Sequence, residues 1–130
     1  MADALFDTTV FIDWLRGDGA AKQLVDDVLQ GRKTASYSAI TMAELWQNEQ
    51  IDRQTEIEYQ ALASQFLEEA PLVSEAAKKA GVQLRDLSRN RRRALFADAL
   101  IAATAEIRGE TVYSRNDSDL RRFYSRVETY

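Results

Sequence analysis

Short apolar runs alternate with amphipathic stretches along this chain, and no other feature narrows its fold as much. Ala4-Leu5-Phe6, Thr34-Ala35-Ser36-Tyr37-Ser38, Pro71-Leu72-Val73 and Thr111-Val112-Tyr113-Ser114 each fit a short strand, with Val127-Glu128-Thr129 as a fifth. Between them the spacing predicts helices over 10–16, 20–30, 41–48, 56–69, 75–87 and 96–108, with Gly17, Gly31 and Gly109 as natural stops. Strands alternating with helices form βαβ units, and such units build a parallel sheet covered by helices on both faces. The expectation is an α/β fold with a central parallel sheet of four to five short strands. The chain has 130 residues and shows no linker, repeat or low-complexity segment, so residues 1–130 are read as a single domain.

What the chain lacks limits its chemistry. It has no Cys, which excludes disulfides, thiolate zinc sites and cysteine nucleophiles. It has no His, which removes the Ser–His–Asp triad and the paired imidazoles of many metal-free ribonucleases. Chemistry must rest on carboxylates, hydroxyls, Lys, Arg or Tyr, and any metal site must be built from oxygen. No apolar run approaches the ~20 residues of a membrane helix. Met1-Ala2-Asp3-Ala4 lacks the basic start of a signal peptide, so a cytoplasmic location and no membrane partner are expected.

The net charge of −4 is unevenly spread: residues 1–84 carry −7 and residues 85–130 carry +3. Every cation in the second part is Arg, several of them in Arg89-Asn90-Arg91-Arg92-Arg93 and Arg121-Arg122. Such a run is either a solvated basic face or a surface for a polyanion, since the guanidinium fork suits phosphate.

Four places concentrate oxygen donors near expected strand ends, where parallel sheets gather ligands. Asp7 follows the first strand and is either a helix N-cap or a ligand. Glu44 closes Thr41-Met42-Ala43-Glu44, which fits a capping box that would satisfy its carboxylate locally. Asp98 is harder to explain structurally. It stands alone in Phe96-Ala97-Asp98-Ala99-Leu100-Ile101-Ala102-Ala103-Thr104-Ala105, and its helical neighbours Ile101, Ala102 and Ala105 look buried. A carboxylate at such an edge needs a cation, an amide or a metal. Ser114-Arg115-Asn116-Asp117-Ser118-Asp119 reads alone as a loop. Taken together, the four places describe a site for Mg²⁺ or Mn²⁺ rather than zinc.

These residues carry a resemblance. Leu5-Phe6-Asp7-Thr8-Thr9-Val10-Phe11-Ile12-Asp13-Trp14-Leu15-Arg16-Gly17 resembles the opening of a PIN domain, particularly of a VapC-type toxin ribonuclease. Ser38-Ala39-Ile40-Thr41-Met42-Ala43-Glu44-Leu45, Asp98-Ala99-Leu100-Ile101-Ala102-Ala103-Thr104-Ala105 and Val112-Tyr113-Ser114-Arg115-Asn116 resemble its later motifs, in the family's order. The resemblance implies a PIN-like three-layer α/β/α fold in which Asp7, Glu44 and Asp98 hold Mg²⁺ or Mn²⁺. It puts Asn116 at the fourth position and matches Asp119 to an acid further along. Asp117 takes a variable position, and Thr8 could add a hydroxyl.

The implied activity is that of a metal-dependent endoribonuclease, the toxin of a toxin–antitoxin pair. The implied partners are an RNA substrate, a cognate antitoxin protein and a second copy in a homodimer. Arg93 and Arg115 are expected to hold the substrate backbone, and Trp14, Trp46, Tyr59 and Phe66 are either core residues or anchors for the antitoxin. Water attack would leave a 5′-phosphate, and without His an attack by the RNA 2′-hydroxyl is disfavoured. The alternative is a catalytically inactive PIN-like RNA- or protein-binding module, for which clustered acids would have no use. A phosphoacceptor receiver domain would want a Lys after a late strand, and none lies beyond Lys79. A metal-dependent phosphatase of small molecules is a weaker rival, and no glycine-rich phosphate loop is present.

Overall fold

The computed structural model describes residues 2–130. Ala4–Phe6 forms β1, with all three residues buried. Side chains alternate across a strand, so β1 feeds two cores at once. Leu5 packs with Val112 and the Ala-rich helix that follows residue 95, whereas Ala4 and Phe6 pack with Val10, Phe11 and Val25 on the other face.

The chain continues through α1 (Thr8–Arg16), α2 (Gly19–Leu29), β2 (Ala35–Ser38), α3 (Ala39–Trp46), α4 (Arg53–Phe66) and β3 (Glu68–Ala70). Then follow α5 (Ser74–Leu84), α6 (Arg89–Ala94), α7 (Phe96–Arg108), β4 (Thr111–Tyr113), α8 (Asp117–Leu120) and β5 (Val127–Glu128). All strand pairs are parallel, in the order β3-β2-β1-β4-β5. The central β1 sets Leu5 beside both Ser36 and Val112. This is the expected three-layer α/β/α arrangement, with five strands.

One layer holds α5 and α7. The helix α7 comes close to the sheet because Ala99, Ala102, Ala103 and Ala105 are all fully buried and small. A larger side chain at any of them would overpack the layer at a cost of about 1–3 kcal/mol. The other layer, α1, α2 and α4, is built on aromatic edges: Phe11 meets Tyr37 at 6.2 Å and Tyr59 at 6.1 Å between ring centres. Full burial of a side chain such as Phe6 or Phe11 contributes about 1.5–3 kcal/mol. Gly17 and Gly109 end α1 and α7 in the left-handed conformation that glycine adopts without strain.

The chain moves outward from β1 to β2 and β3, then crosses back to β4 and β5 on the other side. The reversal lies between β1 and β4, which opens a crevice at their carboxyl ends.

Several boundaries differ from expectation: α1 starts at Thr8 rather than 10, α4 at Arg53 rather than 56, and α5 ends at Leu84 rather than 87. The third strand is Glu68–Ala70 rather than Pro71–Val73, and α4 stops at Phe66 rather than Glu69. This strand is at the sheet edge, where only Ala70 is buried and backbone pairing to β2 sets its position. The helix α3 starts at Ala39, capped by Ser38, whose Oγ accepts from the Ile40 amide at 3.1 Å. Thr41 is therefore inside the helix, and the capping-box reading of Glu44 falls. The arginine run folds into α6, with the Ser88 hydroxyl accepting from the Arg91 amide. Among the described residues no helix is long and apolar enough to cross a membrane.

Candidate active site

Asp7 occupies the N-cap position of α1, but its carboxylate makes no cap hydrogen bond. It accepts instead from Ser114 Oγ at 2.6 Å and from Thr9 Oγ1 at 3.3 Å. Ser114 follows β4 and is fully buried, so parallel pairing of β1 and β4 brings the two residues face to face. Asp7 is itself 3% exposed, and burial raises its carboxyl above the usual carboxylate range against the pull of these hydroxyls.

Freed from a capping role, Glu44 reaches back to α1. Thr8 Oγ1 lies 2.6 Å from Glu44 Oε1 and 3.1 Å from Thr41 Oγ1. Burial pushes the Glu44 carboxyl up, the Thr8 hydroxyl opposes the shift, and the charge of Asp7 adds to it.

Asp98 lies in the first turn of α7. Its carboxyl is pushed up to about 7, first by burial and then by the charges of Asp7, Asp119 and Glu44. Asn116 Nδ2 donates to both of its oxygens, at 3.3 and 3.2 Å, while the Asn116 amide donates to Ser114 Oγ at 2.8 Å. Ser114 thus joins the Asp7 end of the site to the Asp98 end.

The loop after β4 sorts its own acids. Asp117 is ion-paired to Arg121 one turn along. Asp119 keeps only a long pair to Arg122 at 4.0 Å, and its charge is felt at Asp98. Arg115 is tied up on the outside of α1: its guanidinium pairs with Asp18 at 3.0 Å and stacks over the Tyr130 ring at 4.3 Å. Arg93 is exposed on α6, away from the carboxylates, in a surface cleft with Arg85, Arg89, Arg92 and Phe96. Of the aromatic residues, Tyr59 is buried core and Trp46 leans on it, whereas Trp14 and the half-exposed Phe66 line one apolar groove with Leu29.

Sequence reasoning did not single out Ser114, Thr9 or Ser38. The available signal was a small hydroxyl residue just after a strand, a common pattern that becomes specific only when strand pairing shows what it faces.

The donors fit a hard cation. All are oxygens, and among the described residues no ion pair involves Asp7, Glu44 or Asp98. Carboxylates held within electrostatic reach of one another without a counter-charge suit a divalent ion. As the side chains lie, no three acids among the described residues are close enough to share one ion.

Comparison with known proteins bears on the fold and the family. A chain of the toxin–antitoxin complex from Klebsiella pneumoniae is 26% identical, with a TM-score of 0.71 over 97% of this chain and 96% of that one. DNA-bound VapBC from Salmonella typhimurium is 21% identical, with a TM-score of 0.77 over 99% and 98% of the two chains. VapBC2 from Rickettsia felis, bound to a DNA fragment from its promoter, is 17% identical, with a TM-score of 0.72 over 98% of each chain. The last two likenesses carry the fold alone. No curated protein matches this chain. The PIN domain family model matches residues 4–125, which span the first four strands and the four oxygen-rich places and leave only β5 outside; the chain belongs to the PIN domain family.

Proposed function

We propose that this protein is a metal-dependent endoribonuclease, the toxin of a toxin–antitoxin pair. The observation that carries the reading is that Asp7, Glu44 and Asp119 all lie within electrostatic reach of Asp98, with no cation paired to Asp7, Glu44 or Asp98 among the described residues. A non-catalytic module would gain nothing from holding such mutually repelling groups in place.

Asp7, Glu44 and Asp98 would hold Mg²⁺ or Mn²⁺, with Asp119 as the further acid and Asn116 orienting Asp98. Bound there, such an ion supplies water of lowered pKa and neutralises charge developing on a phosphodiester. The chain's own part is positioning. Ser114 fixes Asp7, Thr8 fixes Glu44, and Asn116 grips both oxygens of Asp98. Asp98, pushed up to about 7, gives up its proton readily near neutrality once positive charge arrives. With no His in the chain, attack by water and products ending in 5′-phosphate are expected.

A cognate antitoxin is supported by the toxin–antitoxin complex from Klebsiella pneumoniae, and the groove of Trp14, Leu29 and Phe66 offers it an apolar face. A homodimer follows from the family resemblance and is read by sedimentation. The test of the main reading is incubation of purified protein with total cellular RNA, with Mn²⁺ or with EDTA, beside Asp98→Asn. Metal-dependent cuts at few sites, absent from the variant and carrying 5′-phosphate, are expected. No cutting by folded, metal-loaded protein would favour the binding module, and 2′,3′-cyclic phosphate ends would overturn water attack.

A further inference from the structure

Besides the acidic crevice, the least explained surface lies at the start of α7. Arg85 after α5, and Arg89, Arg92 and Arg93 on α6, surround a cleft that also holds Phe96. Among the described residues none of these four arginines has an acidic partner or a side-chain hydrogen bond, whereas Arg108, Arg115, Arg121 and Arg122 are all ion-paired. Phe96 is 56% exposed, the largest value among the exposed large apolar side chains described. No cation stacks on its ring among the described residues, although four guanidinium groups stand around it; the cation–ring contacts lie elsewhere, at Tyr113 and Tyr130.

Unpaired Arg forks around a free aromatic face match a strand of nucleotides. The forks suit phosphates, and the ring offers a stacking platform to an unpaired base. A duplex would keep its bases stacked on one another and leave the ring unused. Phe96 and Asp98 share the first turn of α7, about 3 Å apart along the helix axis but on opposite sides of it. The arginine cleft is therefore a surface of its own, beside the start of the helix that carries Asp98.

We propose that Arg85, Arg89, Arg92, Arg93 and Phe96 form a binding track for a single-stranded nucleic acid, in which the arginines take successive phosphates and Phe96 stacks an unpaired base. The track rests on the nuclease reading for what is cut, but its binding chemistry can be tested without cutting.

The probe is a short fluorescein-labelled single-stranded RNA, with binding followed by anisotropy across a KCl series in EDTA. Each phosphate contact to a single strand contributes about 0.7 to the slope of log K against log salt, so R89Q/R92Q/R93Q should lower that slope by about 2. Phe96→Ala should weaken binding by about 5-fold or more with the slope unchanged, and Phe96→Trp should restore it. All these side chains are exposed, so the melting temperatures should stay close to wild type.

Asp98→Asn separates this proposal from the nuclease reading, since it should abolish cutting while binding RNA through the track. If the wild type cuts nothing yet the slopes change as stated, the track stands and the nuclease reading falls. If the wild type cuts RNA and the triple variant keeps its slope, the track falls and the nuclease reading stands. The track is also overturned if the triple variant binds RNA normally but dissociates a dimer, or loses only affinity for poly-glutamate used as an acidic polypeptide probe.

Discussion

The two ends of the parallel sheet treat buried acids in opposite ways. At the amino end, Glu110 is fully buried and fully answered: Arg108 Nε at 2.8 Å, Ser36 Oγ at 2.8 Å and the Ala2 amide at 3.0 Å all donate to it. Arg108 continues to Glu68 at 3.2 Å and ties the edge strand β3 to the end of α7. At the carboxyl end, Asp7, Glu44 and Asp98 have no cation partner among the described residues; Asp7 raises the proton affinity of Glu44, and Asp7, Asp119 and Glu44 raise that of Asp98. A buried carboxylate that serves the fold carries its cation with it. The carboxyl-end acids are left without one, and the fold bears the repulsion.

The largest test of this contrast is catalytic. Asp98→Asn should lower RNA cleavage by roughly a thousandfold or more, because positioned charge is a major source of phosphodiester activation. The same change should leave the metal-free protein as stable as the wild type or more so, since it removes repulsion. Glu110→Gln should do the reverse, with Arg108 left partly unanswered in the interior. A loss of roughly 3–5 kcal/mol in denaturant unfolding is expected, with cleavage per folded molecule intact. If Glu110→Gln were neutral and Asp98→Asn destabilising, the contrast would be inverted.

Smaller effects sharpen it. Ser114→Ala should weaken divalent-ion binding by about 10- to 100-fold in a calorimetric titration, because Asp7 loses the hydroxyl that orients it. The pH dependence follows from Asp98. Its carboxyl holds a proton up to about 7 in the folded protein, against about 4 in an unfolded chain. Between those values the native state binds more protons, so the stability of the metal-free protein falls as pH rises from about 4 to about 7. Melting in EDTA should show that fall in wild type and a reduced one in Asp98→Asn. Saturating Mn²⁺ should flatten it by displacing the proton.

The sequence revealed more of the carboxyl end than of the amino end, for a physical reason. Asp98 stood out because an acid in an Ala-rich helix contradicts its surroundings. Asp7 stood out because it follows an apolar strand. Glu110 drew no attention, because Arg108-Gly109-Glu110 reads as an ordinary polar helix end; only packing against Ser36 and the chain start buries it. Glu44 was misread locally for a similar reason. The pattern from Thr41 to Glu44 fits a cap, but Ser38, held at the end of β2, starts the helix earlier and frees Glu44 to meet Thr8. The edge strand β3 lies three residues before the apolar Pro71-Leu72-Val73 run, because Glu68 and Glu69 look like helix surface and their backbone pairing to Ser36 and Tyr37 leaves no mark on side-chain pattern.

The central claim is that the unanswered acids at the carboxyl end await a divalent cation. A calorimetric titration of Mn²⁺ at neutral pH into wild type and Asp98→Asn, repeated in buffers of different ionisation enthalpy, addresses it most directly. The account predicts saturable binding to wild type with net proton release, and binding greatly weakened in Asp98→Asn. Equal binding by both proteins, or none by folded wild type, would contradict it.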